Sequence, residues 1–158
     1  MTLFDTHAHY DDEAFDADRD AVLSAFDGLV IDPGCTLASS QAAVDLAARH
    51  PHVYAAVGIH PENCGDFVPE HMDALRQLAR EPKVVAIGEI GLDYYWPENP
   101  PRDFQQQVFR AQLELALELD LPVIVHDREA HGDSLAIVKE YPALRGVFHC
   151  YSGSAEMA

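Results

Sequence analysis

Short apolar runs alternate along this chain with longer amphipathic stretches. Residues 28–33, 53–58, 84–89, 121–126 and 147–150 are apolar runs of strand length, and residues 3–10 open the chain with strand character. Between them, residues 16–26, 36–50, 69–80, 104–119 and 134–140 repeat apolar positions at helical spacing. The clearest is 104–119, where Phe104, Val108, Ala111, Leu115 and Leu119 fall on one face. Pro33-Gly34 closes one run as a turn, Pro51 stops a helix, and an acidic turn follows the first strand at residues 11–13. Six apolar strands joined by five helices imply an α/β fold whose parallel sheet is buried on both faces. Two closures fit that pattern, an open doubly wound sheet and a (β/α)₈ barrel. No GxGxxG follows the first strand, which weakens the dinucleotide-binding form of the former. A barrel needs two more strands and typically about 250 residues, whereas this chain has 158 and ends just past its sixth strand.

Composition narrows the class without naming a function. A chain of this length suits one domain, here residues 1–158, and an apolar share of 48% excludes disorder. The densest apolar run, 121–125, is far short of the roughly 20 residues that span a bilayer. The N-terminus lacks the basic-then-apolar pattern of a secretory signal, so cytoplasmic residence and no membrane partner are expected. Cys35, Cys64 and Cys150 form no CxxC pair, which argues against a disulfide framework or zinc knuckle, and Cys150 is expected to pack. The formal net charge of −17, with only two lysines, is at odds with a protein that grips phosphates through Lys and Arg. Bound cations can supply the positive charge locally. Alternatively the acidic residues lie away from the site, or serve solubility in a high-salt cytoplasm; these two readings are preferred.

The chemistry concentrates at strand ends. In parallel α/β architectures the carboxyl ends of strands face the ligand. Polar residues unusual for apolar strands gather there: Asp5, His7 and His9 on the first strand, His60 after the third, Glu89 on the fourth, His126 on the fifth and His149 on the sixth. Alternation along a strand would point His7 and His9 to one side, where two imidazoles can share one metal ion. An isolated His-x-His is more often a solvated strand end, and a lone buried histidine is more often satisfied core. A carboxylate after a buried run, such as Glu89, must be paired, hydrogen-bonded or on a metal, and can bridge two cations; its ordinary use is an arginine salt bridge. Four histidines and a glutamate at one pole of a sheet outweigh these separate readings and suit Zn, Mn and related divalent ions. His60 can contact substrate or cap a loop, and Arg128 can hold a phosphate or a surface carboxylate. Asp93, Tyr94 and Tyr95 can shape a substrate wall. His50, His52, His71 and His131 read as solvated.

Five segments in order carry a resemblance. They are Phe4-Asp5-Thr6-His7-Ala8-His9, Val57-Gly58-Ile59-His60-Pro61, Ile87-Gly88-Glu89-Ile90-Gly91-Leu92-Asp93-Tyr94-Tyr95, Pro122-Val123-Ile124-Val125-His126 with Arg128, and Phe148-His149-Cys150-Tyr151-Ser152-Gly153. Together they resemble the successive signatures of TatD-type metal-dependent hydrolases. The resemblance implies an amidohydrolase-like TIM (β/α)₈-type barrel, truncated here after about six strands, with a centre of two divalent metal ions (Mg, Mn or Zn). It implies a magnesium-dependent deoxyribonuclease, often a 3′-5′ exonuclease, with DNA as substrate. His7 and His9 would bind the first metal, His126 and His149 the second. Glu89 would bridge both as the candidate catalytic residue, and His60, Asp93 and Arg128 would lie near substrate. The family's final metal-binding aspartate, in a Glu-Thr-Asp-x-Pro segment, has no counterpart here. A fragment, or an oligomer joined through open barrel edges, is therefore expected. Two other readings follow from the same residues: an ester or amide hydrolase such as an aminoacyl-tRNA deacylase, and a non-catalytic metal- or partner-binding remnant.

Overall fold

The computed structural model describes residues 3–157; Met1, Thr2 and Ala158, the ends of the expected 1–158 domain, lie outside the described residues. Its strands are β1 (Leu3–Asp5), β2 (Gly28–Pro33), β3 (Val53–Val57), β4 (Val84–Asp93), β5 (Val123–Arg128) and β6 (Gly146–Phe148). The helices are α1 (Arg19–Ala25), α2 (Leu37–Arg49), α3 (Glu70–Leu78), α4 (Arg102–Leu119) and α5 (His131–Val138), with 3₁₀ turns at Glu13–Phe15 and Pro61–Asp66. All strand pairs are parallel, in the order β1-β2-β3-β4-β5-β6.

That unbroken order decides between the two closures. A doubly wound sheet reverses its winding at a switch point and carries helices on both faces. Here the winding never reverses, and the two faces differ. Val30, Ala55, Val57, Val123 and Val125 pack with Leu46, Leu75, Phe109, Leu113 and Leu115 of the helices in one large core. The alternate residues Ile31, Ala56, Ala86 and Ile124 form a small cluster made of strand side chains alone. One face is thus roofed by helices, and the other is the interior of an incomplete barrel. Phe4, Leu29 and Val147 leave apolar surface exposed along that concave face. Among the described residues, no helix is long and apolar enough to cross a membrane.

Several boundaries differ from the sequence pattern. β1 stops at Asp5, because the Asp5 carboxylate accepts the His7 backbone N–H (3.0 Å) and turns the chain out of the strand. β4 continues past Glu89 to Asp93, its extra residues paired with β5 from Val125 to Arg128. Pairing with β3 ends at Ile87, so these polar residues are kept in register by β5 alone. α1 begins three residues late: Asp12 caps the preceding 3₁₀ turn instead, accepting from Ala14 N–H (2.8 Å). α2 starts where expected, behind a Thr36/Ser39 capping box.

Several side-chain expectations are also corrected. His50 and His131 are not solvated: His50 Nε2 lies 2.9 Å from Asp20, and His131 Nδ1 lies 2.6 Å from buried Asp127. One ring nitrogen each of His52 and His71 is buried without a partner. Cys150 is exposed rather than packed, since β6 has already ended and the chain turns there at φ 44°.

Candidate metal centre

Glu89 is the focus of the site. It lies inside β4, 3% exposed, with its backbone N–H donating to Gly34 O (2.9 Å). Its Oε2 faces the loop after β1, 3.3 Å from His7 Nε2 and 3.6 Å from His9 Nε2. Its Oε1 faces β3 and β5, 3.1 Å from His126 Nδ1 and 3.9 Å from His60 Nε2. Four imidazoles, and no arginine, face this buried glutamate among the described residues. Burial alone would raise the Glu89 carboxyl, yet His126, His7 and His9 hold it far below the usual carboxylate range.

His7 and His9 reach this carboxylate by a route that strand alternation does not describe. Both lie beyond β1, in a loop pinned to β2 by Ala8 N–H donating to Ile31 O (3.1 Å). Their Nε2 atoms approach to 3.0 Å. Asp11 and Glu89 together push the His9 imidazole up to about 10. His149 is brought close in a different way, its ring stacked on that of His7 at 3.4 Å and 9°. Two groups of ligand atoms, each mutually within 4.8 Å, share the glutamate: His7, His9 and Glu89, and His60, Glu89 and His126. His149 stands outside both.

The other half of the site is held from below by buried amides. His126 Nε2 lies 2.9 Å from Asp93 Oδ2, so Asp93 fixes the ring that faces Glu89. Asp93 is fully buried and also accepts from Tyr95 N–H (3.0 Å) and Asn99 Nδ2 (3.1 Å). Gln105 of α4 accepts from Asp93 N–H (2.9 Å) and donates to Asp93 O (2.9 Å). Two turns along the same helix, Gln112 does the same to Ile59, accepting from its N–H (2.7 Å) and donating to its O (3.0 Å). His60 follows directly. Its Nδ1 accepts from Glu62 N–H (3.2 Å), so the neutral ring carries its proton on Nε2, aimed towards Glu89. Burial and the neighbouring His126 lower His60 to about 4, keeping it neutral near pH 7.

The glutamine clamps lead to a prediction. Gln112→Leu leaves both polar groups of Ile59 buried and unsatisfied, at about 1–3 kcal/mol each. Chemical denaturation should show a loss of about 2–6 kcal/mol, and the His60 ring resonances should shift. An unchanged midpoint would show that the clamp is dispensable.

Two carboxylates not singled out by the sequence pattern also belong here. Asp32, at the carboxyl end of β2, is 0% exposed and neither carboxylate oxygen has a hydrogen-bond partner. Burial, then the nearby Asp11, pushes its carboxyl up to about 8. The signal was the same one that marks Glu89, an acid closing an apolar run. Arg128, by contrast, is exposed at the rim, its guanidinium stacked 3.8 Å over Tyr95 and 5.3 Å from the centre of Trp96, both largely exposed.

Comparisons with known proteins give the family and the fold. The family described as TatD related DNase matches residues 4–158. An uncharacterised metal-dependent hydrolase of Bacillus subtilis, YabD, is 39% identical over 99% of this chain and 63% of its own length. The 3′-5′ ssDNA/RNA exonuclease TatD of Salmonella typhimurium is 36% identical over 98% of the chain and 61% of its own. The crystal structure of YJJV, a TatD homologue from Escherichia coli, superposes with a TM-score of 0.90 at 35% identity, covering 99% of this chain and 62% of that one. A TatD-family hydrolase of Entamoeba histolytica shares the fold, with a TM-score of 0.88 at 24% identity over 99% and 60% of the two chains. The chain therefore spans about three-fifths of the length of the relatives it matches.

Proposed function

The chain belongs to the TatD-related DNase family, and from that premise we propose that it holds most of a two-cation centre that hydrolyses phosphodiester bonds of DNA. The observation that carries this reading is the sharing of Glu89 between two groups of ligand atoms. A carboxylate with one oxygen turned to each group is the donor that can bridge two divalent ions, which an imidazole ordinarily does not do. Three further features fit the same ions. His7 and His9 crowd their Nε2 atoms to 3.0 Å beside a carboxylate oxygen, a contact relieved by a cation between them. His7 Nδ1 is buried with no partner. The donors are imidazole and carboxylate, which suit Zn, Mn or Mg rather than a soft metal.

Each side chain then has a task. His7, His9 and Glu89 would hold one ion, and Glu89 with His126 would hold the other, His126 being turned by Asp93. His60, whose Nε2 bears a proton, suits donation to a phosphate oxygen better than metal ligation. His149 braces the His7 ring and stands ready at the same pole. Bound divalent cations supply Lewis-acid polarisation of the phosphoryl group and a water acidified towards neutrality. Arg128 offers a planar fork to a phosphate, and the exposed Tyr95 and Trp96 faces beside it suit stacking of an unpaired base. On this reading single-stranded nucleic acid is a better substrate than duplex. The net charge of −17 is no obstacle, because the cations are the largest local positive charges.

The test sets a 3′-labelled single-stranded DNA beside an aminoacyl ester, each with Mg²⁺, Mn²⁺ or EDTA. The expected result is metal-dependent shortening of the DNA that EDTA stops. Intact DNA alongside metal-dependent hydrolysis of the ester would overturn the phosphodiester assignment.

A further inference from the structure

Glu89 is not the only buried carboxylate at this pole. Asp32 ends β2 with both oxygens buried and unpartnered, and it points into a cluster with Asp11 and His9 whose ligand atoms lie mutually within 4.8 Å. Asp11 is held in place by its loop. The Arg19 side chain fastens onto the carbonyls of Tyr10, Asp11 (3.3 Å) and Asp12 (2.8 Å) and pairs with Asp16 (2.8 Å), so this neighbouring cation is committed elsewhere. His9 borders the pair on one side, and no Lys or Arg side chain pairs with either carboxylate among the described residues, a costly arrangement in a buried place.

We propose that Asp11 and Asp32 hold a further divalent cation, bordered by His9 and separate from the pair of ions that Glu89 bridges. Carboxylate oxygens completed by water suit a hard ion of the Mg²⁺, Mn²⁺ or Ca²⁺ kind. The Asp11 side chain is 11% exposed and that of His9 37%, which gives the ion a way in from the loop side. His9 links the two places: its Nδ1 is 3.8 Å from Asp11 Oδ1, while its Nε2 is 3.6 Å from Glu89 Oε2. A neutral imidazole has one lone pair to give. With the Nε2 lone pair given to a cation beside Glu89, the Nδ1–H faces Asp11 at 3.8 Å, so an ion on Asp11 and Asp32 would change the charge that His9 faces. The inference stands apart from the hydrolase reading, because neither carboxylate belongs to the groups around Glu89.

Mn²⁺ is the probe, counted through the loss of its free-ion paramagnetic resonance signal on titration. In Glu89→Gln protein, where the shared carboxylate is gone, one equivalent should still bind. Adding Asp32→Asn should weaken that equivalent by about tenfold or more. Equal Mn²⁺ binding with and without Asp32→Asn would overturn the proposal and leave a proton shared between the two carboxyl groups as the occupant. No Mn²⁺ bound by Glu89→Gln protein would overturn it equally. Far-UV circular dichroism checks that each variant is folded; should the double variant not fold, Asp11→Asn in the same background reads the same difference. A failed hydrolase assignment shows itself differently, as Glu89→Gln protein that binds as much Mn²⁺ as the parent.

Discussion

Glu89→Gln is expected to reduce metal-dependent hydrolysis by about 10²–10³-fold or more, in line with the 3–5 kcal/mol lost when one partner of a buried charge cluster is removed. The substitution keeps the shape and deletes the charge. Four imidazoles face this carboxylate, two on each oxygen, and the amide presents a donor to one pair of them. Because Glu89 belongs to both groups of ligand atoms, the effect would fall on both ions of the proposed centre at once. Isothermal titration with Mn²⁺ should show that loss directly, before any assay of activity. His149→Ala provides the graded comparison. Its ring stacks on His7 and does not face Glu89, so its removal should weaken one ion more than the other. If Glu89→Gln leaves both binding and hydrolysis unchanged, the centre lies elsewhere.

Why this much was legible in the sequence, and no more, follows from where each signal is written. Apolar runs such as 53–58 and 121–126 depend on burial against helices, and that burial leaves its period in the sequence. Glu89 stood out because a carboxylate in such a run demands partners. The geometry of His7 and His9 did not follow from alternation, since a three-residue edge strand ends before them and a single contact of Ala8 to Ile31 sets their position. Gln105 and Gln112 were invisible for a different reason. A glutamine in a helix reads as its polar face, and only the tertiary structure turns these two inward onto the backbones of Asp93 and Ile59. His131 looked solvated because it opens a helix, although Asp127, four residues earlier and at the end of an apolar run, is the buried acid that binds it. Part of the acidity is paired at the surface, as in Arg76 with Asp73 and Glu118 and Arg110 with Glu140.

The largest expected effect on stability comes from a residue with no side chain. Gly91 pairs with His126 across the β4–β5 ladder and holds φ at +143°, a conformation that L-residues rarely adopt. A Cβ there would lie 2.0 Å from His126 O and 2.9 Å from its carbonyl carbon. Both contacts are with backbone, so no side-chain rotation relieves them. Gly91→Ala must either separate β4 from β5 or rotate the β4 backbone, and in both cases His126 leaves its place beside Glu89 and Asp93. The expected loss is about 4 kcal/mol or more, within the range reserved for overpacking and backbone strain combined. Thermal denaturation should register it as a large fall in midpoint, with Mn²⁺ binding weakened in the protein that remains folded. Gly132→Ala is the control: a Cβ there meets nothing within 4 Å, and the residue sits in the first turn of α5. Alanine at that position should be neutral or stabilise by up to about 1 kcal/mol. If the two substitutions behave alike, the close approach of β4 to β5 does not govern the site, and the geometry around His126 must be held by Asp93 alone.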